Sequence, residues 1–147
     1  MSTMQDWRCK HTSLVFACRI IRDRFGGEAV DKVAEQHMHN VREAFRRKVA
    51  EGAPNDLNAL AEHMLAPSET HTMEVIRRDE RVFEVKVTRC AHAEIFAEMN
   101  AWDVGLKFMC AGDDAMIEGF NPQIELDRPK IMMRGDDCCH FIYRLKG

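Results

Sequence analysis

The spacing of apolar residues changes once along the chain, and that change limits the fold classes open to it. Up to residue 65 the apolar positions recur at helical intervals; from residue 71 they alternate with polar ones. These two periods present apolar side chains in incompatible geometries, so the chain must combine helices with strands. "SLVFACRIIRDRF" (13–25) is apolar enough for a buried or half-buried helix and runs into Gly26-Gly27, a stop. Over 28–50, Val30, Val33, Ala34, His37, Val41, Ala44, Phe45 and Val49 share one helical stripe, ended by Gly52 and Pro54. Asn55 or Asp56 can cap a short third helix through Leu65, which Pro67 closes.

"HTMEVIRR" (71–78) and "RVFEVKVTR" (81–89) alternate around "RDE" and read as a hairpin. If Arg77 pairs with Arg81, then Met73, Val75, Phe83, Val85 and Val87 share the core face, and His71 and Arg89 also point inward at its far end. An inward arginine needs a partner. Residues 91–108 return to helical spacing through Ile95, Phe96, Met99, Trp102 and Leu106. An Asn121-Pro122 turn precedes a short strand at 123–127, and two final strands, 130–134 and 138–145, flank Gly135-Asp136-Asp137. In the last strand Cys139, Phe141, Tyr143 and Leu145 form the apolar face, and Cys138, His140, Ile142 and Arg144 the other. The expected class is α+β: N-terminal helices packed on an antiparallel sheet with one inserted helix.

At 147 residues the chain suits one domain, 1–147, able to bury a core without staples. Its net charge of −3 excludes a general nucleic-acid binder, which needs a basic face. No apolar run approaches the roughly 18 residues a membrane span requires. "MSTMQDWRCK" has no apolar core followed by a small-residue cleavage site, so the expected compartment is the cytoplasm. In that reducing setting the six cysteines are expected to be buried, catalytic or metal-bound rather than disulfide-paired.

Cys110 and Asp113, three apart, fall on one face of a helical turn. A thiolate beside a base or cation is a strong nucleophile, and a neighbouring carboxylate can hold an amidine-like cation. The same pair also reads as a small buried thiol followed by a helix-capping acid. Cys90, Cys110 and Cys139 with one of His71, His92 or His140 could supply four zinc ligands. His37 reads as a core histidine on the second helix, and His11 and His63 as surface or boundary positions. Met99, Met109, Met116, Met132 and Met133 suit adaptable core filling, or a pocket for a flat, polarisable molecule. Arg89 and Arg134 are the candidates for a substrate carboxylate, which a guanidinium matches bidentately; Arg134 beside Gly135 reads equally well as solvated.

"TRC" (88–90), "FMCAGDD" (108–114), "FNPQIELDR" (120–128) and "RGDDCCHFIY" (134–143) follow one another closely. In this order they resemble the L-2-amino-thiazoline-4-carboxylic acid hydrolase family: a cysteine, C-x-x-D, an aromatic-Asn-Pro turn, then G-D-x-x-C-x-F. Cys90, Cys110, Asp113, Asn121, Pro122, Gly135, Asp136, Cys139 and Phe141 carry the match over roughly 70–147, and the helical part at 13–65 is compatible with it. Cys138 and His140 lie between pattern positions. The resemblance implies hydrolysis of a C–N or C–S bond at the amidine- or thioamide-like carbon of a five-membered heterocycle bearing a carboxylate. In a covalent version Cys110 attacks, Asp113 binds the amidinium, His92 or His71 moves the proton, and Arg89, Asn121 and Arg134 bind substrate without any cofactor. In a metal version Cys90, Cys110 and Cys139 hold zinc, and metal-bound hydroxide attacks. A looser likeness is to small-molecule-binding sensor domains related to 4-vinyl reductase, some of which hold zinc through cysteines; C-x-x-D is not part of that pattern. Such modules are ordinarily fused to an output domain, for which this length leaves no room, so the enzyme is the leading expectation. The expected partner is a small carboxylate substrate, with a homo-oligomer compatible and neither nucleic acid nor membrane involved.

Overall fold

Ser2 starts the first helix. Its hydroxyl accepts from the Gln5 N–H (3.2 Å) and its own N–H donates to the Gln5 amide oxygen (3.0 Å), a reciprocal cap. The computed structural model describes residues 2–147. Helix α1 (Thr3–Phe25) therefore begins well before the apolar run at 13 and buries His11, Val15 and Cys18 on one face. His11, expected at a surface or boundary position, is buried. Gly26, at φ 87°, breaks the chain before α2 (Gly27–Ala50), which buries Val30 and Ala34 but leaves Val33 exposed. The Asp56 side chain accepts from the Ala59 N–H (2.7 Å) and opens α3 (Leu57–Met64).

Strands β1 (His71–Arg78), β2 (Val82–Cys90), β3 (Ile124–Lys130) and β4 (Cys139–Leu145) form one antiparallel sheet in the order β1-β2-β4-β3. The hairpin register differs from the expected one: Arg77 lies opposite Glu84, not Arg81. Thr72 faces Arg89 and Met73 faces Val87, so Thr88 is an unmatched extra residue. This bulge reverses the alternation at the end of β2. Arg89 turns outward, where it pairs with Glu94 (2.8 Å) and donates to the Glu69 carbonyl (3.1 Å), and Cys90 turns in.

The stretch 130–134 is not a strand. Lys130 ends β3, and Met132–Arg134 form a 3-10 turn. Gly135 sits in the left-handed region (φ 94°), and the Asp136 carboxylate accepts from the Ile131 N–H (2.8 Å), fixing the return into β4. Pro129 falls at a bulge on the edge strand β3, where no ladder donor is needed. Cys139 is buried as the alternation predicts. Cys138, expected to face out, is only 4% exposed, beside the Lys130–Asp137 pair (3.0 Å). His140 does lie on the other face, half-buried and bonded to Glu84 (2.7 Å).

The inserted helix is also broken. α4 (Ala91–Glu98) stops at a turn where Asn100 takes φ 49°. The chain resumes as α5 (Trp102–Gly105), a π-helical turn (Leu106–Cys110) and α6 (Ala111–Phe120). A Cβ at Gly119 would lie 2.2 Å from the Arg42 carbonyl oxygen, so α2 and α6 touch backbone to backbone. The core gathers Val15, Leu60, Phe83, Val85, Phe96 and Tyr143 between the helices and the inner face of the sheet. Among the described residues no helix is long and apolar enough to cross a membrane.

Candidate active site

A cavity of about 620 Å³ opens between α2, α3, the His71/Cys90 end of the hairpin, α4 and the π-turn. Its walls are largely apolar, through Val41, Met64, Met73, Phe108, Met109, Met116, Met133 and Phe141. Into it face Cys90, Cys110, Cys139, Asp113, His71 and His92. Three segments far apart in sequence thus bring together the three thiols that the motifs singled out. Met109, Met116 and Met133 prove to be cavity wall, and Met99 and Met132 pack against the core.

The π-turn and the first turn of α6 set Cys110 and Asp113 on the cavity side. The Ala111 N–H reaches back to the Leu106 carbonyl, and this wider turn shifts the helical phase before Asp113. Arg128 of β3 clamps the segment from outside. Its Nη1 donates to the Cys110 carbonyl (2.6 Å) and to Asp113 Oδ2 (3.1 Å), and its Nη2 donates to Asp114. Arg128 is 13% exposed, a guanidinium whose charge is met by two carboxylates. Burial nevertheless pushes the Asp113 carboxyl up to about 7, against the pull of Arg128 and with help from Asp114. Burial, Asp113 and the neighbouring cysteines push the Cys110 thiol up to about 12. Cys139, which accepts from the Met132 N–H (3.2 Å), is pushed up to about 11, again mainly by burial.

The histidines form a second cluster. His92 Nδ1 lies 2.7 Å from His11 Nε2, and its ring stacks on Trp7 at 4.1 Å. Burial and the adjacent imidazoles push it down to about 3, so His92 is neutral and engaged at neutral pH. His71 is placed differently. Its Nε2 is 3.5 Å from Cys90 Sγ and its Nδ1 is 3.1 Å from Thr70 Oγ1. Burial, then Arg89, lowers its pKa.

The substrate-binding candidates fall outside the cavity. Arg89 points away for the reason given above. Arg134 is exposed on the 3-10 turn. Asn121 is used by its own turn, donating to the Asn55 carbonyl (2.9 Å) and accepting from the Gln123 N–H (2.9 Å). Among the described residues no arginine or lysine lines the cavity. Among the described residues no three His, Cys, Asp or Glu side chains are grouped to hold a metal ion, so the Cys90–Cys110–Cys139 set does not form a ready zinc site here. Arg128, Thr70 and Trp7 carry no expectation from the sequence, and His11 reads there as a surface or boundary residue. "FNPQIELDR" contained Arg128, but a charge in a polar strand reads as solvated; the S-x-x-Q cap at Ser2 would have extended α1 over Trp7 and His11.

Helices laid on a four-stranded antiparallel sheet, with an apolar cavity holding clustered thiols and one poised carboxyl, define an α+β domain. The chain belongs to the L-2-amino-thiazoline-4-carboxylic acid hydrolase family, whose model matches residues 9–143. The family is named as a hydrolase, and this match extends through the helical half to α1. No curated protein matches the chain. Among solved structures it is similar to the phenol-responsive sensory domain of the transcription activator PoxR with phenol, at 11% identity and TM-score 0.47, covering 90% of this chain and 73% of that one. It is also similar to a trafficking protein particle complex subunit 3 from Naegleria fowleri covalently bound to palmitic acid, at 13% identity and TM-score 0.49, covering 98% and 95%. Likenesses this distant say nothing of activity.

Proposed function

We propose that the protein hydrolyses a C–N or C–S bond at the amidine- or thioamide-like carbon of a small five-membered heterocycle, opening a thiazoline-carboxylate-like ring. The observation that carries this is Asp113, fixed by Arg128 at the cavity wall and poised near neutrality. A carboxyl near 7 exists in both forms at working pH. Ionised, it holds an amidinium; protonated, it gives a proton to the departing heteroatom. No cofactor is needed for such a step.

Two features refine the substrate. A 620 Å³ cavity suits a ligand larger than a bare ring, so the heterocycle carries an apolar substituent lodged among Met64, Met109 and Met116. With no guanidinium in the lining, the ring carboxylate meets imidazole donors such as His37 and His63. The test is turnover of 2-amino-thiazoline-4-carboxylate and its alkylated analogues, followed as loss of the ring chromophore with gain of one water by mass. Wild type should turn over at least one of them, and folded Asp113→Asn should not. Absence of turnover across the series, or full activity in Asp113→Asn, refutes the reading. The apolar walls favour a second reading, a ligand-binding module for flat apolar compounds; saturable binding without turnover would select it.

A further inference from the structure

One cavity thiol has an imidazole at hydrogen-bond distance, and it is not Cys110. We propose that Cys90 is the nucleophile of this site, with His71 as its general base and Thr70 as the residue that positions the imidazole. The assignment rests on the hydrolase reading above for its reaction, but not for its geometry.

Three local features converge on Cys90. The Thr88 bulge turns it inward beside His71, its partner across the hairpin. Burial pushes the Cys90 thiol up, but Cys90 is the N-cap of α4, and the first N–H groups of that helix, on His92 and Ala93, pull the other way. His71 Nε2 stands 3.5 Å from Sγ while Nδ1 is tied at 3.1 Å to Thr70 Oγ1. Thr70 is 3% exposed and is itself fixed: its hydroxyl lies 2.8 Å from Ser68 Oγ, and its N–H donates to that same oxygen at 3.1 Å. With Nδ1–H donated to Thr70, the free lone pair of Nε2 faces the thiol. A nucleophile, a base and a buried orienting group in one line is the arrangement thiol catalysis requires. Cys110 and Cys139 have no histidine in such reach among the described residues, and His92 is committed to His11.

In the reaction, His71 Nε2 takes the Cys90 proton as Sγ bonds to the amidine carbon. The C=N electron pair moves onto nitrogen, which receives that proton from His71. Collapse of the adduct breaks the ring C–N or C–S bond, the pair leaving with the heteroatom, while Asp113 passes a proton to it from the remaining nitrogen. Water, deprotonated by His71, then attacks the same carbon. The C–Sγ bond breaks, and Sγ recovers its proton from the imidazole. One water is consumed, and nothing is oxidised or reduced.

The test is substoichiometric iodoacetamide labelling across pH, read by peptide mass mapping, with the exposed Cys9 as internal reference. Among the cavity thiols Cys90 should label first. Its rate should fall about tenfold or more in His71→Gln, with Cys9 unchanged. Thr70→Val should lower the Cys90 rate and displace its pH midpoint, an effect a merely structural threonine would not have, and circular dichroism checks that both variants fold. In the hydrolysis assay Cys90→Ser should abolish turnover. Labelling of Cys110 ahead of Cys90, or a Cys90 rate indifferent to both His71→Gln and Thr70→Val, overturns the assignment. Absence of turnover on every heterocycle would refute the hydrolase reading while the labelling order still decides this one.

Discussion

Replacing Asp113 by asparagine removes a carboxyl that the fold holds protonated far above its ordinary range, and the consequence for stability can be worked through. The distance from 3.8 to about 7 corresponds to about 4 kcal/mol at about 1.4 kcal/mol per pH unit. The side chain keeps 33% of its surface accessible, and solvent screening brings that to about 2 kcal/mol. A carboxyl raised in the native state binds more protons there than in the unfolded chain. Its ionisation therefore erodes wild-type stability as pH climbs from about 4 to about 7. The depressed histidines His11, His71 and His92 act oppositely, adding stability as pH rises towards about 6.5, but they are common to both proteins and cancel in the difference. The loss of Arg128's partner shifts the variant by a nearly pH-independent amount. Thermal unfolding by circular dichroism at constant ionic strength should thus show the Asp113→Asn Tm gaining on wild type by about 4–8 °C between pH 4 and pH 8, at about 2–4 °C per kcal/mol. Parallel curves would show that Asp113 titrates as an ordinary surface acid, and the case for a poised carboxyl would end there.

Cys138 and Cys139 are both buried, but only Cys139 reaches the cavity. Cys138→Ser should cost about 1–3 kcal/mol in denaturant melts and leave kcat and KM unchanged, whereas Cys139→Ser should impair turnover; equal kinetic loss in the two would contradict the placement. Arg89→Lys should leave KM unchanged and lower stability by at most about 1 kcal/mol, since the half-exposed Arg89–Glu94 pair lies outside the cavity; a severalfold rise in KM would put Arg89 back at the substrate.

The class of the fold could be read from period alone, and so could the inward course of Cys139, because helical and two-residue repeats survive averaging over many residues. What escaped were single-residue events. One unmatched threonine in β2 exchanged the orientations of Arg89 and Cys90, and no pattern in "KVTRC" announces where a ladder slips. One asparagine with positive φ cut a helix that the spacing of Ile95, Phe96, Met99, Trp102 and Leu106 makes look continuous. The C-x-x-D spacing put Cys110 and Asp113 on one helical face, and both line the cavity, but the guanidinium that fixes them lies in a strand, and its partner choice has no local signature. Histidine roles were the least legible, because they depend on which ring meets which across 81 residues of chain, as His11 and His92 do.

The clamp on Asp113 is delivered by an edge strand. β3 has a neighbour on one side only, and its ladder is interrupted around Pro129, next to Arg128. Edges of this kind open locally at a fraction of the free energy of global unfolding. Any such opening would withdraw the guanidinium and leave Asp113 with burial and the repulsion of Asp114, both of which favour its protonated form. Amide exchange along β3 would then report how often Asp113 loses its clamp, because Arg128 reaches it directly from that strand.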